Sequence, residues 1–515
     1  MALAEFPTHL VILGGGSAGW MTAAHLDRAF NLPGRRRLPI TVVESPAIGR
    51  IGVGEATLPT LLQFTRRLGI DEATLMKRTQ ATFKHGVEFL DWAGPGTRYF
   101  HPFEALERAG HNPGPSWLAR RHRGVAGPFD EENGFQAAVA RAGRAPKKMI
   151  DPDYLGQLPY AYHLDAEAYG DMLGELARLR GVAHVEGKVA GAERGEDGGV
   201  AALLLEDGRR IEGDLFVDCS GFRSLLLGET LGVPYDSFGD CLLCDRAVAI
   251  PRPYREGEAP QPYTVTQAME AGWMWRIGLQ NRLGLGYVYS SAFTSPEEAE
   301  RALRAKAAIP GDFPARHLVM RPGIPQVSWK DNVIAIGLAG GFIEPLESTG
   351  LHMVELALDL LVRYFPLSGL NSACCTTYNR QMRRIWLELR DFIVAHFCLA
   401  RPADTPFWRE VAKEEHIPAS LAERLAMWSD RHPDERDHEN SRVLFANNSW
   451  QAIIYGLGAA GPQALANADR WCPNPGAQLP AFEHSRKVAM EALPSLELWL
   501  EGLASLPAVE LERLA

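Results

Sequence analysis

Three glycines between a short apolar run and a helical pattern constrain this chain more than any other feature. His9 to Leu13 reads as a strand and runs straight into Gly14-Gly15-Gly16-Ser17-Ala18-Gly19-Trp20. Met21 to Phe30 follows with Ala23, Leu26 and Phe30 at helical spacing. Gly14, Gly16 and Gly19 therefore supply GxGxxG between a strand and a helix, the context in which that pattern marks a dinucleotide-binding turn. Amides at the helix start face the phosphates, and glycine lets the backbone come close to them. The next strand, Ile40 to Val43, ends at Glu44, an acid placed to bond a ribose hydroxyl. The chain thus opens as an α/β protein with a Rossmann-like nucleotide fold.

Charge narrows the partners. Over 515 residues, 53 basic and 63 acidic side chains leave a net charge of −10. Nucleic acid or an anionic membrane would call for a basic face, so neither is expected. Seven cysteines, an odd count at irregular spacing, make no disulfide framework. Cys241 and Cys244 have CxxC spacing without a second pair, and read as core thiols rather than a zinc or redox site; no metal is expected. The first residues lack a basic, apolar leader, and no apolar run approaches the roughly 18 residues of a membrane helix. A cytoplasmic protein is the expectation.

Further along, Gly49 to Pro59 is glycine-dense and nearly uncharged, suited to close approach to a flat ligand. Ala81 to Trp92 alternates like a single strand and carries Lys84; a lysine facing inward there would be an amine tuned by burial. His101 and Phe103 are aromatics suited to lining a substrate pocket. Ala183 to Val185, Lys188-Val189 and Val200 to Leu205 read as hairpin-like strands, and Asp214 to Asp218 as a strand ending in Cys219-Ser220-Gly221. Trp273, Trp275 and Ile277 alternate onto one strand face, followed by a Gly284/Gly286 turn. Val333 to Gly337 reads as a buried strand, and Leu351 to Phe365 as an amphipathic helix. Gly341 to Gly350 between them is a strand-to-helix turn with two glutamates, Glu344 and Glu347, and helix-start amides able to hold an anion. Beyond about 370 the pattern turns helical, with Tyr378 to Phe397, Ser420 to Trp428 and Met490 to Leu514. The expected division is a FAD-binding domain over 1–370, with inserted β-sheet segments at about 240–330, and a helical substrate-binding module over 371–515.

Taken together the motifs resemble the flavin-dependent halogenase family, whose best-studied members act on tryptophan. The resemblance runs from about His9 to Trp408. It rests on GGGSAGW (Gly14 to Trp20), GVGEAT (Gly52 to Thr57), Lys84 after Phe83, CSGFRS (Cys219 to Ser224), WxWxI (Trp273 to Ile277) and EPLESTG (Glu344 to Gly350).

That resemblance implies a two-component enzyme of the flavin monooxygenase type. FADH2 arrives from a separate flavin reductase, and a flavin hydroperoxide oxidises chloride or bromide to hypohalous acid. The halide would sit on the backbone at Thr349 and Gly350. Trp273 and Trp275 would screen the flavin from the organic substrate. Hypohalous acid would pass to Lys84, which holds it by hydrogen bond or as a haloamine, while Glu347 polarises it or takes the proton lost from the ring. FAD contacts carry over to Gly14, Gly16, Ala18 and Gly19, to Ser45, Ile48, Ile51, Val53 and Ala56, and to Val189 and Leu338. The substrate would be a small electron-rich aromatic of the indole type. Free tryptophan fits less well, because Asp430 to Gly458 lacks the aromatic and acidic pattern that grips an amino acid. A two-component aromatic hydroxylase on the same scaffold is the alternative, and a non-catalytic flavin-binding protein a further one. A homodimer is also expected.

Overall fold

The computed structural model describes residues 7–31, 38–47, 54–105, 112–438, 444–472, 474–477, 479–507 and 510–513. Its first sheet is built on Leu10–Leu13, four residues buried on both faces. Such a run can only be a central strand, and it pairs in parallel with Ile40–Glu44 on one side and Leu215–Asp218 on the other. Six strands lie in the order Trp329–Lys330, Val333–Ala335, Leu215–Asp218, Leu10–Leu13, Ile40–Glu44, Ala183–Glu186. All pairs are parallel except the first, a short antiparallel edge. The helix Ser17–Phe30 leaves the central strand at the point where strand order reverses, the place where open α/β sheets bind their ligands.

A second sheet of seven strands runs Arg316–Val319, Arg246–Ala249, Leu283–Tyr289, Gly272–Gly278, Thr264–Met269, Gly86–Leu90, Arg98–Pro102. A third, three-stranded sheet pairs Gly54–Ala56 and Thr82–Lys84 with Ala161–Asp165. Helices of the C-terminal part pack onto these sheets, with the 28-residue helix Ser372–Leu399 buried over its last two turns.

Four expectations need correction. The segment Ala81 to Trp92 is two strands in two sheets, Thr82–Lys84 and Gly86–Leu90. The break falls at Gly86, whose φ of +158 is paired with close approach to the His101 carbonyl, where a Cβ would lie 2.2 Å from the oxygen. Ala183–Glu186 is no hairpin arm but the parallel edge strand beside Ile40–Glu44; the hairpin is Val189–Arg194 with Val200–Leu205. Gly284 and Gly286 form no turn: both lie in the buried strand Leu283–Tyr289. Gly286 stands opposite Trp275 and leaves room for its indole, since a Cβ there would sit 2.0 Å from the ring. Finally, Met490 to Leu514 is interrupted between Leu479–Ala492 and Leu496–Ser505, where Pro494 cannot continue a helix.

Candidate active site

The helix Ser17–Phe30 begins at Gly16 without any side-chain cap and without an acid in its first turn, which leaves its first amides available. Space over Gly16 is open to beyond 4 Å, whereas Gly14 and Gly19 are closed in by backbone. Ala18 faces Gly337, the first residue of the short turn Gly337–Ala339 that carries Leu338. Glu44 folds across the turn: a Cβ on Gly15 would meet its Oε2, and its Oε1 lies 2.9 Å from His184 Nε2. Ser45 follows half-buried, Val189 is buried at the start of its strand, and Ala56 is buried opposite His163. An uncapped helix start with open space above it and close-packed glycines on either side fits a dinucleotide phosphate. Ile48, Ile51 and Val53 lie outside the described residues.

Lys84 faces inward. It is 0% exposed, and its Nζ donates to the Thr57 carbonyl at 3.0 Å and to Ser348 Oγ at 2.9 Å. Phe103 lies beneath the amine, its ring centre 5.0 Å from Nζ. Burial brings the Lys84 pKa down to about 7, although Glu347 and Glu55 oppose the shift. At neutral pH this amine is therefore divided between its charged and neutral forms.

Glu347 is 2% exposed and held by two imidazoles. His101 Nδ1 lies 3.0 Å from Oε1 and 3.1 Å from Oε2, and His396 Nε2 lies 2.9 Å from Oε1. Burial alone would raise its pKa, but the two histidines outweigh that and hold the carboxyl well below the usual range. The site thus sets a carboxylate that rests ionised at neutral pH against an amine poised near neutrality.

Glu344, three residues earlier and 0% exposed, behaves oppositely. Burial pushes its pKa up to about 8, against the pull of Trp273 and Cys244. It accepts a hydrogen bond from Trp273 Nε1, so the uncharged acid fixes the indole. Trp273 and Trp275 are both buried, their rings 6.2 Å apart and tilted by 56°.

The helix Gly350–Arg363 starts at Thr349 with no side-chain cap. The residue before it, Ser348, takes a left-handed φ of 62, which turns its hydroxyl back to Lys84. Thr349 is buried and Gly350 is open, with Glu55 Oε1 the nearest atom to a Cβ placed there, at 3.7 Å. Burial raises the Glu55 pKa to about 7, partly offset by Lys84.

Lys84, Glu347, His101 and Phe103 are thus brought together, with the start of the Gly350 helix joined to them through Ser348. The nucleotide turn forms a separate cluster on the first sheet. Three participants carried no signal in the sequence. His396 comes from a helix 49 positions away from Glu347. Ser348 lies inside a motif dominated by its acid. Glu55 lies on the strand Gly54–Ala56, within a segment read for its glycines.

The family described as "Tryptophan halogenase" matches residues 9–471. The tryptophan 6-halogenase SttH of Streptomyces toxytricini is 37% identical over 90% of this chain and 92% of its own length. Its crystal structure superposes with a TM-score of 0.89, covering 96% of this chain and 100% of that one. The tryptophan 7-halogenase RebH of Lentzea aerocolonigenes is 33% identical over 95% and 98% of the two chains. BrvH, a flavin-dependent halogenase from Brevundimonas sp. BAL3, superposes with a TM-score of 0.86 at 37% identity, over 96% and 99% of the two chains.

Proposed function

The chain belongs to the tryptophan halogenase family, and on that premise we propose that it is an FADH2-dependent halogenase placing chlorine or bromine on an indole-type ring. The observation that carries the reading is Lys84: an amine without solvent contact, poised at about 7, beside an ionised carboxylate and an aromatic face.

Reduced FAD, when bound, supplies together with dioxygen the two-electron oxidation that turns halide into an electrophilic halogen. Gly14, Gly16, Ala18 and Gly19 would hold its phosphates, with Glu44 and Ser45 at the ribose side and Ala56, Val189 and Leu338 at the remaining contacts. Thr349 and Gly350 offer the halide two amides at the positive end of a helix. Trp273 and Trp275 would form a wall, in which Glu344 fixes the Trp273 indole. Behind it, Lys84 receives hypohalous acid, either through a hydrogen bond or as a haloamine. His101 and Phe103 hold the aromatic ring. The ring carbon bonds the halogen while the halogen's old bond breaks toward oxygen or nitrogen, and Glu347 accepts the ring proton. Burial serves this chemistry, since each charge acts in a medium of low dielectric.

Division into a flavin-binding part over 1–370 and a helical substrate part over 371–515 accompanies this reading. Flavin-dependent halogenases draw on a separate flavin reductase and act on aromatic substrates; for this chain we favour an indole without an amino-acid side chain. Phe445, inside the late segment Asp430 to Gly458, stacks on Phe392 at 4.0 Å and lies 6.0 Å from His101, so an aromatic surface closes this side. The test is a set of indoles, phenols and free tryptophan incubated with a flavin reductase, oxygen and either halide, read by isotope pattern. Halogenated indoles are expected; addition of oxygen alone at every halide concentration would replace this reading by a hydroxylase.

A further inference from the structure

His396 has no place in the mechanism above, yet it makes two bonds that few histidines can make at once. It is 0% exposed, on the last buried turns of Ser372–Leu399. Its Nδ1 lies 2.8 Å from the Phe392 carbonyl, one turn back on the same helix. A carbonyl oxygen only accepts, so Nδ1 carries a hydrogen. Its other nitrogen, Nε2, faces Glu347 Oε1 at 2.9 Å. With Nδ1 already a donor and the carboxyl ionised, the hydrogen of that second contact lies on Nε2, which donates it to Oε1. Glu347 and His396 together hold one proton more than a carboxylate beside a neutral imidazole would.

The two oxygens of Glu347 are not equivalent. Oε1 takes His396 and the shorter His101 contact, while Oε2 has only His101, at 3.1 Å. Other groups around the carboxyl are Lys84, from the strand Thr82–Lys84, and the Tyr99 hydroxyl, from Arg98–Pro102, which burial and Glu347 keep un-ionised. Phe89 and Phe392 pack against the His396 ring, at 5.4 and 5.0 Å between centres, and fix its plane.

We propose that His396 is a positioning residue for halogenation: it binds Oε1 of Glu347, balances the carboxylate charge, and leaves Oε2 to receive the proton the ring releases. This inference rests on Glu347 being the proton acceptor. In the step concerned, the ring C–H bond breaks, its electron pair restores aromaticity, and the proton moves to Oε2; His396 keeps both of its own hydrogens. The imidazole thereby acts on the base and never touches substrate.

The test compares His396→Phe, His396→Gln and Glu347→Gln with the unaltered protein. Halogenation of an indole is followed with a flavin reductase between pH 5 and 9, and the carboxyl stretch is followed by infrared difference spectroscopy on the flavin-free protein. Removing the imidazole should lower the rate at neutral pH by about 100-fold, the usual share of acid–base catalysis. The acid limb of the profile should move up by roughly two pH units as a compensating charge is lost. A protonated-carboxyl band that Glu347→Gln abolishes should appear near pH 6 in His396→Phe and not in the unaltered protein. His396→Gln, which keeps one neutral donor, should fall between the two, and carries the same comparison if the phenylalanine variant does not fold. An unmoved acid limb and an unchanged infrared spectrum in the folded variant would overturn the role of His396. Full activity of Glu347→Gln would instead remove the proton acceptor itself, a separate failure.

Discussion

Lys84 Nζ lies 2.9 Å from Ser348 Oγ and 3.0 Å from the Thr57 carbonyl, so one amine ties together two loops far apart in sequence. One loop ends the glycine-rich segment proposed to approach the flavin, and the other begins the helix whose amides are the proposed halide seat. Any oxidant reaching the amine arrives at the junction of both.

Lys84→Ala removes the proposed acceptor and leaves the proposed halide seat and tryptophan wall in place. Halogenated indole should fall by about 1,000-fold or more, within the range expected for loss of an essential catalytic group. Hypohalous acid should still form and escape, measured by trapping with an external β-diketone. Full halogenation by this variant would exclude Lys84 from the chemistry.

The amine also carries a stability signature. An unfolded lysine titrates at about 10.4, against about 7 when folded here. Between those values the unfolded chain binds a proton that the folded one refuses, so this residue's cost is full below pH 7 and fades as pH rises toward 10. Lys84→Met should therefore stabilise the protein by about 1–3 kcal/mol at pH 6, after loss of two hydrogen bonds, and by much less at pH 10. Urea unfolding at the two pH values measures the difference.

Glu344 has the opposite slope. Its carboxyl is raised from 4.5 to about 8, so the folded state retains a proton that the unfolded state loses. Its contribution is intact below pH 4.5 and is lost as pH climbs through 8. Glu344→Gln keeps an acceptor for Trp273 Nε1 and should flatten that loss; Glu344→Ala should cost about 1–3 kcal/mol by leaving a buried indole N–H unpaired. Thermal unfolding between pH 5 and 9 separates the two variants.

Glu55 places a titrating carboxyl beside Gly350, its Oε1 3.7 Å from where a Cβ would stand. Ionised, it repels a halide there; neutral, it does not. Bromide should bind more weakly as pH rises through 7, by about tenfold for a modest change in local charge. Glu55→Gln should bind bromide with little dependence on pH. Calorimetry of bromide binding to the flavin-free protein in two buffers gives both the affinity and the proton uptake.

Much of this fold was legible because its signals are local. A four-residue apolar strand, a glycine turn and a helical period lie next to each other, and the parallel sheet follows from them. The tryptophan pair was legible for the same reason, since alternation fixes a strand face. The site was less so. Lys84 could be named but its burial could not, because the break at Gly86 depends on the His101 carbonyl, a partner from another strand. Glu347 could be named, yet its ionisation comes from His101 and His396, which only tertiary packing brings to it. Ala183–Glu186 paired differently from the hairpin expected because short alternating strands do not state their partner.

Lys84 and His101 share one continuous piece of chain: a short strand, the bend at His85 and Gly86, and the pairing of Val87 with His101. Phe103 N donates to the His85 carbonyl at 3.1 Å, which closes the loop between them. The amine and the residues proposed to grip the ring are therefore graduations on a single ruler. With the ring gripped as proposed, regiochemistry is a matter of offset along that hairpin: a one-residue slip in its pairing would turn His101 out to the other face, and only a two-residue shift would move the grip along the strand and keep it on the same side.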